Sequence, residues 1–181
     1  MRVYRQTVED FRLYAGLELT DEQVDSLRSA AGQMSAKMRA VRIVTASAVS
    51  KRDLEERLIR KGEQPEQAKE AVQWMADLDL VDDEKTARQI VSRCASKGYG
   101  IGRAKQALYE KRIPKEFWDA ALADYPDQTE HMIRFLQSRL GDSWDERDLK
   151  RSVDALLRRG HSYSDVQHAL RQLEVHDFPE E

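Results

Sequence analysis

The chain has 181 residues, with 30 Lys or Arg against 33 Asp or Glu and a net charge of −3. Its one cysteine, Cys94, excludes internal disulfides and any multi-cysteine zinc site, and no apolar run approaches the roughly 20 residues of a membrane span. The N-terminal MRVYRQTVEDF lacks the apolar core of a signal peptide, so a cytoplasmic chain without membrane contact is expected.

At 40% hydrophobic and 35% charged, with only 8 Gly and 4 Pro, the composition suits exposed amphipathic helices with few turns. Residues 1–19 carry apolar positions (Val8, Phe11, Leu13, Leu17) without a clear period. Thr20 then reads as a helix N-cap, with Gln23 completing a capping box. Val24, Leu27, Ala31, Met34, Met38 and Val41 follow as a helical stripe, and Gly32 leaves open one long helix or two. Ser50 opens the next helix, with Asp53 three residues on, Leu54 and Leu58 inward, and Gly62 as its stop. Pro65 suits a first helical position, ahead of Ala68, Ala71, Val72 and Met75. Asp82, Asp83 and Glu84 place acids where a helix dipole favours them.

In the following helix Ala87, Ile90, Val91 and Cys94 face inward. Gly98, Gly100 and Gly102 make a turn, and the next helix buries Ala104, Ala107 and Leu108. Its other side carries Lys105, Tyr109 and Arg112 at i, i+4, i+7. Pro114 is expected to start a helix with Trp118, Ala121, Leu122 and Tyr125 inward, and Pro126 to stop it. Met132, Ile133, Leu136 and Leu140 form another stripe. Ser143 and Glu146 are read as a capping box ahead of Leu149, Val153 and Leu156; Gly160 ends that helix, and Val166, Ala169, Leu170 and Leu173 line the last. DFPEE is expected to fray.

Charge is unevenly distributed. Residues 85–115 hold nine Lys or Arg against Glu110 alone, a net +8, which leaves the rest of the chain at −11. Such polarity suits a surface that meets something negative. The glycines of GYGIG lack the preceding strand and the GK[ST] or G-x-G-x-x-G of a phosphate cradle, so an interhelical turn explains them better. Cys94 reads as a core thiol, His161 and His168 form no metal pattern, and Asp82-Asp83 reads as a cap rather than an acid–base pair. No enzyme, metal or cofactor is expected. Trp74, Trp118 and Trp144 read as packing residues.

A longer period runs through the chain. Leu58, Leu108 and Leu156 superpose at offsets of 50 and 48 residues, and so do Ala68/Trp118/Val166, Ala71/Ala121/Ala169 and Val72/Leu122/Leu170. Gly62 aligns with Gly160, and Arg112 stands at that place in the middle copy. The expected fold is all-α: an N-terminal helical extension (1–35) and three tandem three-helix modules (36–81, 82–127 and 128–181 including the tail). Stacked repeats of this kind suggest an elongated, curved arrangement.

The stretch 92–114, SRCASKGYGIGRAKQALYEKRIP, resembles the RecX family of recombination regulators. Ser92-Arg93, Lys97-Gly98-Tyr99-Gly100, Arg103, Leu108, Lys111 and Ile113 match its pattern; so do Leu80-Val81-Asp82-Asp83-Glu84 with Ala87, and Ser50 with Leu54 and Leu58. Arg112 stands in place of the usual glycine, Thr86 where an aromatic is common, and Ser47 where an arginine is usual. The resemblance implies three tandem three-helix modules. It also implies binding to RecA and to RecA filaments on single-stranded DNA, restraint of filament growth, ATP hydrolysis and strand exchange, and some weak direct DNA contact. A monomer is expected. Arg93, Lys97, Tyr99, Arg103, Lys105, Tyr109 and Arg112 are the expected contact residues. The competing expectation is a helix-turn-helix DNA-binding regulator with Arg103–Arg112 as its recognition helix.

Overall fold

A computed structural model describes residues 3–141 and 145–173; Ser143, Trp144 and the DFPEE tail lie outside the described residues. The regular elements among them are all helices: α1 (Arg5–Asp10), α2 (Asp21–Ala46), α3 (Lys51–Arg60), α4 (Pro65–Asp77), α5 (Asp83–Ser96), α6 (Ile101–Glu110), α7 (Trp118–Leu122), α8 (Thr129–Leu140), α9 (Glu146–Arg158) and α10 (Tyr163–Gln172), with one 3-10 turn before α7. The chain forms two compact units, Met1–Thr86 and Ala87–Glu181.

In the first unit α2 runs unbroken for 26 residues from the Thr20–Gln23 capping box. Its buried face is Leu27, Ala31, Ala36, Ala40 and Ile43, whereas Met38 is more than a third exposed. The stripe expected from the large apolar residues is therefore shifted: alanines let α4 lie close, and the bulkier side chains flank that contact. Gly32 belongs to the same close approach, since a Cβ there would meet the Gln67 side chain. Ser50 caps α3 by accepting from the Asp53 amide at 3.0 Å. The Asp53 carboxylate takes two N–H bonds from Arg57, each 2.8 Å. Asp82 accepts from the Lys85 amide at the start of α5, which holds its carboxyl below the usual range. Asp83 reaches back to the Lys51 amide at 2.8 Å. The two adjacent acids thus tie two different helix starts. Leu54, Leu58, Ala68, Ala71, Val72, Met75 and Val81 form the core beneath them.

The second unit holds two cores. One gathers Ala87, Val91, Cys94, Ala104, Leu108, Ile113 and Leu122; the other gathers Met132, Leu136, Leu140, Leu149, Val153, Leu156, Val166, Ala169 and Leu170. Two local expectations are corrected. Pro114 leads into a 3-10 turn, Lys115–Phe117, and α7 spans only Trp118–Leu122, ending before Pro126. The Trp118 indole donates to the Ile113 carbonyl (3.0 Å), which holds the tight turn. The cap of α9 is Asp145, accepting from the Asp148 amide at 2.8 Å, so Glu146 is the first helical residue and not the third.

The repeat is visible in how three helices end. The amides of Glu63, Ile113 and His161 bond back to the carbonyls of Leu58, Leu108 and Leu156. The residue before each amide is left-handed: Gly62 at φ +92°, Arg112 at +56° and Gly160 at +87°. Glycine adopts this conformation without a Cβ penalty, whereas arginine carries roughly 1 kcal/mol of strain or more. Arg112→Gly should therefore raise the unfolding free energy by about 0.5–1 kcal/mol, the relief being partly offset by the greater freedom of glycine in the unfolded chain. A denaturant titration monitored by circular dichroism checks this.

Candidate functional site

The basic stretch occupies α5, the glycine turn and α6. Helix α5 ends because Gly98 turns left-handed (φ +68°), with its amide on the Ala95 carbonyl and the Tyr99 amide on the Cys94 carbonyl. Helix α6 then starts from Gly100 without a side-chain cap. The unsatisfied amides of its first turn go elsewhere. Gly100 donates to the Arg159 carbonyl and Gly102 to the Gly160 carbonyl, both at 3.0 Å. The turn between α9 and α10 therefore caps α6 with its own backbone.

This contact requires glycine on both sides. A Cβ on Gly100 would lie 2.1 Å from the Gly160 oxygen, and a Cβ on Gly160 would lie 2.1 Å from the Arg103 nitrogen. His161 is buried beside them and donates through Nε2 to the Gly98 carbonyl (3.1 Å). Burial lowers its pKa below the ordinary histidine value, more than its bond to Gly98 and the nearby Asp165 raise it. From the other side the Tyr125 hydroxyl donates to the Tyr99 carbonyl at 2.7 Å, and burial pushes that phenol up to about 12. The glycine turn is thus a clamped junction and not a phosphate cradle.

The seven expected contact residues fall into separate groups. Arg93 and Lys97 are exposed at the end of α5. Together with the half-buried Arg103 they bear electrostatically on Cys94, whose thiol is nonetheless raised because burial outweighs them. Arg103 pairs with Glu110 at 3.1 Å along α6, and its backbone lies against Gly160. Lys105 and the 65% exposed Tyr109 lie one turn apart on another face of α6, and Arg112 is exposed just past the helix end. Tyr99 packs its half-buried ring on the core of α5 and α6. The structure therefore joins Lys105 to Tyr109 and separates both from Arg103. His161, Gly160 and Tyr125 are structurally decisive residues that sequence reasoning treated as ordinary. The one available signal was the aligned column of Gly62, Arg112 and Gly160.

Among the described residues, no group of three His, Cys, Asp or Glu is placed to hold a metal ion, and no helix is long and apolar enough to cross a membrane. The fold and this surface define an all-helical repeat protein that presents charged helix faces.

Comparison with known proteins narrows that class. Residues 82–122 match the family described as RecX, second three-helix domain. The chain is 29% identical over 136 residues to the regulatory protein RecX of Xanthomonas campestris pv. campestris (strain B100), covering 74% of this chain and 84% of the relative. It is 24% identical over 140 residues to that of Vibrio campbellii, covering 76% and 90%. A crystal structure of regulatory protein RecX superposes with a TM-score of 0.69 at 21% identity, over 91% of this chain and 84% of the other. RecX from Lactobacillus salivarius gives 0.69 at 20%, over 81% and 99%. The chain is thus similar to regulatory proteins RecX in sequence over about three quarters of its length, and it shares the fold of the two solved structures.

The histidine makes the junction pH-sensitive in a defined direction. Its folded pKa lies below its unfolded value of about 6.5, so its contribution is complete above pH 6.5 and is lost as pH falls from there towards the folded pKa. The urea midpoint should drop between pH 7.5 and pH 5.5, and His161→Gln, whose amide can still donate to Gly98, should shrink that drop.

Proposed function

We propose that this chain binds RecA and RecA filaments on single-stranded DNA, and that it inhibits filament growth, ATP hydrolysis and strand exchange. The observation that carries the reading is the coincidence of the family match at 82–122 with the +8 segment. The part most like RecX is also the part whose charge suits a filament that carries DNA. Three helical modules (36–81, 82–127 and 128–175) in a monomer would offer several weak contacts to adjacent filament subunits, which together bind more tightly than any one.

Lys105 and Tyr109 are the primary contact. Both are exposed on one face of α6, and an exposed aromatic beside a cation is a common anchor in protein interfaces. Arg93, Lys97 and Arg112 supply further positive charge, Arg103 supports α6 through Glu110, and Tyr99 acts through packing. The helix-turn-helix alternative is weakened by the docking of α6. A recognition helix reads bases with its N-terminal residues, whereas residues 100–103 are occupied by the turn at Arg159–Gly160.

The test is the ATPase rate of RecA on single-stranded DNA with added protein. The wild type should inhibit, and the double variant Lys105→Glu/Tyr109→Ala should need about tenfold more protein for the same inhibition, as loss of one interface anchor worth roughly 1.4 kcal/mol implies. Inhibition unchanged in the double variant would remove this face as the contact, and no effect of the wild type on RecA would remove the function.

A further inference from the structure

The N-terminal residues show no clear period in their sequence, yet the structure gives α1 the helix exit of the repeat. The Leu13 amide returns to the Val8 carbonyl at 2.9 Å, and Arg12, the residue before that amide, is left-handed (φ +49°). Val8 lies 50 residues before Leu58, which lies 50 before Leu108. Arg12 and Leu13 precede Gly62 and Glu63 by the same interval. The same exit closes α4 and α5 as well, so it is the spacing that puts α1 in the place of a module's second helix.

The start of α2 takes the place of a third helix. Thr20, Gln64 and Ser162 are the N-caps of α2, α4 and α10. Counted from these caps, Leu27 and Ala31 of α2 match Ala71 and Met75 of α4, and all four are buried. Val24 and Arg28 match Ala68 and Val72 of α4, and Val166 and Leu170 of α10. Those four partners are buried, but Val24 is only half-buried and Arg28 is exposed. Val8 is likewise 36% exposed, whereas Leu58, Leu108 and Leu156 are fully buried.

In complete modules a first helix covers these positions. Ala36, Ala40 and Ile43 of α2 share a core with Leu58, Ala68 and Val72, and Met132, Leu136 and Leu140 of α8 share one with Leu156, Val166 and Leu170. Among the described residues no helix stands in that place against α1. Residues 5–31 thus form the second and third helices of an incomplete terminal module, a common feature of repeat proteins, and its first-helix side is open.

What fits the opening follows from what fills it elsewhere. The covering helices each present one apolar stripe at intervals of three or four residues. The surroundings here are acidic: residues 5–28 hold six Asp or Glu against three Arg. Two of those arginines are already paired, Arg5 with Glu9 and Arg28 with Asp25. An amphipathic helix with basic flanks complements both the stripe and the charge.

We propose that the open side of α1 and the start of α2 receives a basic amphipathic helix of a partner protein, seated where a module's own first helix sits. The inference does not rest on the recombinase reading, because it is tested without any recombinase. The probe is a labelled synthetic peptide of residues 85–97 with Cys94→Ala. It copies a first helix, with Ala87 and Val91 on its apolar stripe and four Lys or Arg against no acid. Fluorescence anisotropy with the full chain should show saturable binding. Val8→Gln and Val24→Gln should each weaken it about fivefold through lost apolar contact. Ile59→Gln, at a comparably exposed position on α3, should leave it unchanged. Val8 and Ile59 are both more than a third exposed, so these two variants should keep the wild-type thermal melt. No binding by the wild type, equal binding of a scrambled peptide of the same composition, or binding unchanged in both valine variants would overturn the proposal. So would a concentration-dependent dimer in sedimentation that Val8→Gln abolishes, which would assign the opening to a second copy of the chain.

Discussion

Two backbone turns touch without side chains between them, and the geometry of the basic helices depends on that contact. Gly100 and Gly102 donate to the carbonyls of Arg159 and Gly160 at 3.0 Å. Neither Gly100 nor Gly160 has room for a methyl group. The start of α6 would otherwise leave amides seeking water or a side-chain cap. The second unit satisfies them with another helix's end, so the position of α6 is fixed by α9 as much as by its own module. His161 and Tyr125 close the junction from two directions, on the carbonyls of Gly98 and Tyr99. A charged face is useful for recognition only if its side chains keep a fixed spacing, and this junction fixes the start of α6, the helix that carries the proposed contact at Lys105 and Tyr109.

The same logic recurs in the first unit with different chemistry. There the ends of α2 and α3 are joined by Arg39 on the Lys61 carbonyl and by the Arg39–Glu63 pair, and Asp83 at the start of α5 caps α3. One kind of helix exit, a left-handed residue followed by an amide returning to a leucine carbonyl, appears at Leu58, Leu108 and Leu156. Around this constant element each module varies what covers it. The result is a repeated helical frame, with charge redistributed from one copy to the next.

Much of this was legible in the sequence, for physical reasons. The Thr20–Gln23 box, the Ser50 cap, the Pro65 start and the three aligned leucines are local signals whose geometry depends on a few neighbours, and the structure has them. Two local signals misled. Pro114 introduced a 3-10 turn because the Trp118 indole holds the Ile113 carbonyl, and Asp145 displaced Ser143 as cap because the helix begins later. Leu27 and Ala31 are buried as expected, but beyond them the buried face of α2 was misplaced, because Ala36 and Ala40 carry little hydrophobic weight in a sequence pattern while allowing the closest packing. The basic segment was legible as charge, but not its division between α5, α6 and the junction. That division depends on residues 159–161, some 60 positions away, and no local pattern reports a long-range backbone contact.

Amide hydrogen exchange on the full chain tests the junction most directly. First-turn amides of an isolated helix exchange quickly, so protection at Gly100 and Gly102 reports their bonds to Arg159 and Gly160. Both amides should be slow in the wild type. In Gly160→Ala both should become fast, while the Leu108 amide in the body of α6 stays protected. Rapid exchange at Gly100 and Gly102 in the wild type, or protection untouched by Gly160→Ala, would contradict the account.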